Sequence, residues 1–400
     1  MPSYSPELFL FGLGLLLVLT VLAGSLSSRF GLPALLGFMA LGMLAGSDGP
    51  GGIRFNDYML AQTLGVLCLV FILFSGGLDT QWRAVRRMAL PAVVLATAGV
   101  MLSAGVVALA AMWLLDFSPL QGFLLGSVIA STDAAAVFAV LRHSGLSLRD
   151  DVRSLIELES GSNDPMAIFL VGAALLLMSV AGASPLSLVP DFLLQMSVGA
   201  VVGFGVGAGL PLLLRRVHLN VGGLSLVISI AAAMLAYGVA GVLGGNGFLA
   251  CYIAGIVAGT REFPQKRTIS LFQDGLAWLA QVVMFLALGL LVYPAQLPDV
   301  TVPGLAVTAA LMLVARPLSV FLCLAPFRGF DWRAKLFVSW AGLRGAVPIV
   351  LATFPIVAGI EGAQAIFNIV FFVVLVSSVI QGPTLGWLAR RLGLDEKPAG

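Results

Sequence analysis

The chain has 400 residues, of which 60% are hydrophobic and 10% are charged, and its formal net charge is +2. A soluble domain carries about 25% charged residues, so this chain has too little polar surface to cover itself in water, and a water-soluble globular fold is excluded. A net charge so close to zero calls for no nucleic-acid partner; the positions of the charges say more than their sum.

A spanning helix needs about 20 apolar residues. On that scale the chain reads as thirteen spans, at 6–25, 31–47, 58–77, 88–115, 119–142, 154–181, 187–214, 220–243, 246–260, 268–296, 301–326, 334–358 and 362–389. The first has no basic residue before it and no cleavage site after it, so it reads as a spanning helix and not as a removable signal. The second and ninth are short. Cys68, Cys251 and Cys323 all lie within apolar runs and read as buried thiols, with no metal-ligand spacing. The fold class expected is an all-α polytopic membrane protein of about 13 transmembrane helices.

The basic residues orient the spans. With the N-terminus outside, the predicted cytoplasmic loops and tail hold Arg29, Arg83, Arg86, Arg87, Arg142, Arg149, Arg153, Arg215, Arg216, Arg261, Lys266, Arg267, Arg328, Arg333, Lys335, Arg390, Arg391 and Lys397, which is 18 of the 21 Lys and Arg. Cytoplasmic loops carry such an excess. Arg54 falls outside, and Arg316 and Arg344 fall within spans.

An internal repeat is also visible. Gly42-Met43-Leu44-Ala45-Gly46 in the second span resembles Gly255-Ile256-Val257-Ala258-Gly259 in the ninth, and Gly77-Leu78 in the third matches Gly289-Leu290 in the tenth. One offset of about 212 residues carries spans one to six onto spans eight to thirteen. Seven spans separate the copies, so the copies are inverted across the membrane, as in secondary transporters. Repeat one covers 1–181, repeat two 220–389, with a linker helix at 187–214. The whole of 1–400 reads as one transmembrane transport domain.

The fifth span holds Ser131-Thr132-Asp133 in its middle. The same offset lands in the twelfth, within Ala341-Gly342-Leu343-Arg344-Gly345-Ala346-Val347-Pro348. Corresponding helices are therefore expected to be interrupted at corresponding points and to cross. Half-helix ends carry partial charges, which Asp133 and Arg344 are placed to compensate. The other reading of these two residues is that each charge lines a water-filled vestibule.

Ionisable groups in mid-membrane are costly and mark function. They are Asp133, Glu157, Glu159, Asp164, Arg316 and Arg344, with Asp274 and Glu361 near span ends. The densest run is Glu157-Leu158-Glu159-Ser160-Gly161-Ser162-Asn163-Asp164-Pro165. Ser160 and Asp164 are four apart and share a helix face. A hydroxyl and a carboxylate beside an unwound backbone supply hard oxygen ligands for an alkali cation, and Asp164, Ser160, Thr132, Asn163 and Asp133 are the candidate cation-binding residues. The same carboxylate can hold a proton or a cation but not both, which with alternating access is enough for antiport. No Lys or Arg stands one turn from Asp164, and the neighbouring Asn163 is neutral, so one charge moves each way and exchange is electroneutral. Glu159 and Arg344 read as a scaffold ion pair. Arg316 and the loop histidines His143 and His218 are given no role.

At these residues the sequence resembles the NhaP-type cation/proton antiporters of the monovalent cation:proton antiporter-1 superfamily. The segments are Ser131-Thr132-Asp133, Glu159-Ser160-Gly161-Ser162-Asn163-Asp164, Asn246-Gly247-Phe248-Leu249-Ala250, Gly342-Leu343-Arg344-Gly345-Ala346 and Ser378-Val379-Ile380-Gln381-Gly382-Pro383-Thr384. Among these antiporters it is most similar to the bacterial potassium/proton antiporters of cell-volume regulation. The resemblance implies a bacterial inner-membrane homodimer with a transport domain that moves like an elevator. It implies cation ligands at Asp164, Ser160 and the Thr132 carbonyl, electroneutral exchange with the Asn163-Asp164 pair, and an ion pair between Glu159 and Arg344. It implies K⁺ or Na⁺ and H⁺ as partners in the bilayer, and no cofactor. Two positions depart from the family pattern: Ser75 stands where many relatives carry a glutamate, and Ala134 where many carry proline. Close relatives also continue into cytoplasmic regulatory domains, whereas this chain stops at Gly400.

Other classes fit less well. A cation channel needs a carbonyl-lined filter, and no TVGYG-like segment is present. A sodium-coupled symporter of an organic anion needs polar groups facing an anion, whereas this site is acidic. A sensor leaves the buried carboxylate unexplained. An enzyme needs a nucleophile–base pair, metal cluster or phosphate loop, and none is found.

Overall fold

In hydrocarbon no water satisfies backbone N–H and C=O groups, so a chain this apolar is confined to helices that bond within themselves. The computed structural model describes residues 5–29, 32–180, 182–216 and 222–396. His218 and Lys397 lie outside the described residues. The described chain is almost entirely helical. Its one strand pair joins Ser147–Leu148 (β1) to Asp395–Glu396 (β2), antiparallel.

In chain order the helices are α1 Pro6–Arg29, α2 Ala34–Ala45, α3 Tyr58–Asp79, α4 Arg86–Leu115, α5 Pro119–Ile129, α6 Ala134–His143, α7 Asp150–Ser179, α8 Leu188–Arg216, α9 Gly222–Val242, α10 Gly247–Gly259, α11 Lys266–Leu290, α12 Pro294–Cys323, α13 Trp332–Trp340, α14 Ala346–Val357 and α15 Ala363–Leu392. Among the described residues, nine helices are long and apolar enough to cross a membrane. The pair α5 and α6 would make one further span, bent by 42° at its break. The chain is a multi-pass membrane protein. Among the described residues, each of the thirteen predicted spans falls mainly on helix, with the fifth divided into α5 and α6 and the twelfth into α13 and α14.

Helices in lipid associate through close packing of small residues, and glycines set the tightest contacts here. A Cβ added at Gly42 of α2 would lie 2.9 Å from the Cα of Gly289 of α11; one at Gly255 of α10 would lie 2.9 Å from the Cα of Gly77 of α3. The sequence offset carries Gly42 onto Gly255 and Gly77 onto Gly289, so the two contacts exchange partners under it. A second pair behaves alike. α4 contains a π-helical turn at Leu95–Gly99 and α12 one at Ala310–Ala315. These helices pack together, and the hydroxyl of Ser103 donates to that of Ser319 at 3.0 Å.

Both breaks lie in the interior. Residues 130–133 separate α5 from α6, and 341–345 separate α13 from α14. They touch: the backbone N–H of Asp133 donates to the carbonyl of Leu343 at 2.8 Å. The long helix α7 lies beside the break between α5 and α6 and carries the acidic run.

Candidate functional site

An unwound segment leaves donors and acceptors without helical partners, and each break here is satisfied by groups from elsewhere. At the start of α6 the Asp133 carboxylate accepts from the N–H of Ala136 at 3.0 Å, capping the positive end of that half-helix. At the end of α5 the carbonyls of Ala130 and Ser131 accept from the guanidinium of Arg344, at 2.7 and 2.6 Å. The base on one break thus caps the negative end of the other. Gly345 makes room for this, since a Cβ there would collide with the Asp133 carboxylate.

Arg344 is therefore committed to carbonyls, and the ion pair expected between Glu159 and Arg344 is absent. Glu159 instead binds Arg316 of α12 through two hydrogen bonds of 2.6 and 2.8 Å, with both side chains buried (1% and 4% exposed). Two carbonyls freed at the α5 terminus claim one guanidinium, which leaves the other for the carboxylate. The second break is held from α15. The Ser377 hydroxyl accepts from the N–H of Arg344 at 3.3 Å and donates to Gln381 at 2.5 Å, and Gln381 donates to the carbonyl of Trp340 at 2.9 Å.

Against the first break lie Ser160, Asn163 and Asp164 of α7. The Ser131 hydroxyl donates to the Asp164 carboxylate at 2.5 Å. The Ser160 hydroxyl donates to the carbonyl of Thr132 at 2.9 Å and accepts from the N–H of Ala134 at 3.0 Å. Asn163 donates to the Thr132 hydroxyl at 2.6 Å and accepts from the Thr132 N–H at 3.4 Å. Asp164 is buried and has no Lys or Arg ion-pair partner among the described residues. Proline at 165 interrupts the backbone bonding of α7 beside it, and Asn246, at the N-terminus of α10, donates to the Pro165 carbonyl at 3.0 Å.

A cavity of about 820 Å³ reaches this point, and its lining includes Ser131, Thr132, Asp133, Ser160 and Asp164 as well as Arg87, Arg142 and Arg153. Ser75 lines it too, so no helix α3 glutamate joins the site. The arrangement offers the Asp164 carboxylate, hydroxyls and a backbone carbonyl, all oxygen, to a group that enters from the cavity, with the Asp133 carboxylate beside them.

Residues 15–391 match the family described as sodium/hydrogen exchanger, transmembrane. The chain belongs to that family. This exchanger-family chain is 44% identical over 383 residues to the K(+)/H(+) antiporter NhaP of Alkalimonas amylolytica, an alignment covering 96% of this chain and 66% of that protein. It is 43% identical over 394 residues to the K(+)/H(+) antiporter NhaP2 of Shewanella oneidensis, covering 98% and 68%. It thus spans about two thirds of the length of these relatives. The fold matches the sodium proton antiporter MjNhaP1 of Methanocaldococcus jannaschii with a TM-score of 0.83 at 24% identity, covering 96% of this chain and 98% of that one.

Two features of this exchanger-family site escaped the sequence reading. Ser131 was visible as part of a motif, but its role as the donor to Asp164 depends on the path of unwound backbone, which has no periodicity. Arg316 was visible as a mid-span charge, but its pairing with Glu159 depends on depth and azimuth of two helices distant in sequence.

Proposed function

We propose that the chain is a secondary active antiporter that exchanges K⁺ or Na⁺ for H⁺ by alternating access, with proton and cation taking turns on Asp164. The observation that carries this reading is a buried carboxylate with no basic ion-pair partner among the described residues, lining a cavity beside the hydroxyl and carbonyl oxygens of the break between α5 and α6. The cation is held by Asp164, Ser160 and the Thr132 carbonyl. Asn163 fixes Thr132, and Asp133 caps α6 at the edge of the site. Glu159, Arg316 and Arg344 are scaffold. With one titrating carrier the cycle is electroneutral.

K⁺ is favoured by relatives named K(+)/H(+) antiporters at 43–44% identity. Na⁺ is kept by a Na(+)/H(+) antiporter, ApNhaP of Aphanothece halophytica, at 27% identity. The wider reading places the chain in the bacterial inner membrane as a homodimer. Its thirteen spans form two inverted repeats, with the N-terminus outside and the C-terminus cytoplasmic. The cavity then opens toward the cytoplasm, since Arg87, Arg142 and Arg153 at its wall, in end turns of α4, α6 and α7, are among the basic residues read as cytoplasmic.

The test is reconstitution in proteoliposomes holding a pH dye. Wild type is expected to move protons when K⁺ or Na⁺ is added, at a rate indifferent to a voltage clamp, and choline is expected to do nothing. Asp164→Asn is expected to abolish the signal. Exchange by Asp164→Asn at the wild-type rate would remove Asp164 from the mechanism.

A further inference from the structure

Below the Asp164 site the same cavity passes a second set of oxygen groups. Glu157 stands seven residues before Asp164 on α7, about 10 Å along the helix axis, and both line the cavity. Between them lies Gly161, and a Cβ at that position would run into the ring and hydroxyl of Tyr252 from α10. The phenol therefore approaches α7 at Gly161, between the positions of the two carboxylates. Tyr252 is 5% exposed and lines the cavity, and its hydroxyl makes no well-formed hydrogen bond, with Thr80 as its polar neighbour. A buried hydroxyl left poorly satisfied is costly, and this one lines the cavity, where an entering ligand can meet it.

Thr80, just past α3, faces both Glu157 and Tyr252. Its hydroxyl spends its single proton on the carbonyl of Gly76 at 2.8 Å. What it turns toward Glu157 is thus a lone pair, and an ionised carboxylate is acceptor only. The Thr80 and Glu157 oxygens thus face each other as acceptors, with the Tyr252 hydroxyl the proton donor beside them. Asp79 and Asp274 lie within electrostatic reach and add negative potential. The base one turn before Glu157, Arg153, lies over the ring of Phe138 at 5.8 Å and adds positive potential at Glu157. Among the described residues no three His, Cys, Asp or Glu side chains converge to hold a metal ion. The donor set is therefore one carboxylate and two hydroxyls, which suits a monovalent cation and is too sparse for a divalent one.

We propose that Glu157, Thr80 and Tyr252 form an outer cation site, at which an alkali cation entering the cavity loses part of its water before passing Gly161 to Asp164. This rests on the reading of the chain as a cation/proton exchanger. The outer site raises the occupancy of the inner one and leaves the exchange at Asp164 as the step that couples cation to proton.

The test counts bound cations with radiolabelled rubidium on the purified full chain. Wild type is expected to bind two per chain. Asp164→Asn is expected to lose one and keep the other, and adding Glu157→Gln to Asp164→Asn is expected to abolish the rest. In proteoliposomes Tyr252→Phe, which keeps the ring against Gly161, is expected to raise the cation KM about five-fold with a smaller change in kcat. If Asp164→Asn binds no rubidium while wild type binds one, the outer site is wrong and the exchange reading stands. If wild type binds none, both are wrong. If Asp164→Asn binds one cation regardless of Glu157→Gln, the retained site is elsewhere and the assignment fails.

Discussion

Ser160 shows how one missing substituent sets a ligand's freedom. Its hydroxyl accepts from the N–H of Ala134 and donates to the Thr132 carbonyl, so one lone pair is left for a cation. Proline at 134 would have no N–H to give. Position 134 is the first residue of α6, where proline is tolerated, and Asp133 has φ −119° and ψ 96°, close to the extended region that precedes proline. Ala134→Pro is therefore expected to leave the protein folded, release a lone pair on Ser160, and lower the cation KM about three-fold in the dye assay. An unchanged KM would mean that the Ser160 hydroxyl is not a ligand. At this scale the sequence was readable where helical spacing holds, as for Ser160 and Asp164 on one face. It was unreadable for Ser131 in unwound chain, and for Tyr252, whose approach to α7 depends on a glycine ninety-one residues away.

Between elements, the interior charges join helices that share no sequence neighbourhood. Arg316 follows directly on the π-helical turn Ala310–Ala315 of α12 and meets Glu159 of α7. Buried pairs contribute geometry more than net stability, but removing one partner leaves a charge stranded, at a cost of about 3–5 kcal/mol. Arg316→Met is thus expected to lower the thermal unfolding temperature in detergent sharply. Adding Glu159→Leu is expected to recover most of the loss. A double variant as unstable as the single one would show that the pair, and not the stranded charge, carries the stability. The breaks themselves were readable from polar residues and glycines in mid-span, and so was the compensation of half-helix charges. The partner of Arg344 was not. An offset between repeats places two breaks together but does not say which acceptor a long guanidinium reaches, and here two free carbonyls outcompete a carboxylate.

For the whole molecule, apolar run length placed every span on helix, and positions were lost mainly at ends. The sixth span, expected at 154–181, is α7 at Asp150–Ser179. Its first turn holds Asp150 and Asp151, charges that favour a helix N-terminus but interrupt an apolar run. The strand pair of Ser147–Leu148 with Asp395–Glu396 is set by long-range contact and left no trace in hydropathy. The glycine pairs Gly42–Gly289 and Gly77–Gly255 were visible as repeated motifs, though not as mutual contacts. Together these elements bring the Asp164 carboxylate to the wall of a cavity, and the account stands on competition at that carboxylate. The most direct test is the exchange rate in proteoliposomes as a function of cation concentration at a series of pH values. If proton and cation compete for Asp164, the apparent KM rises as pH falls, approaching about ten-fold per unit on the acid side, while the rate at saturating cation stays the same. A saturating rate that falls with pH at constant KM would mean that the proton acts elsewhere, and would contradict a shared site.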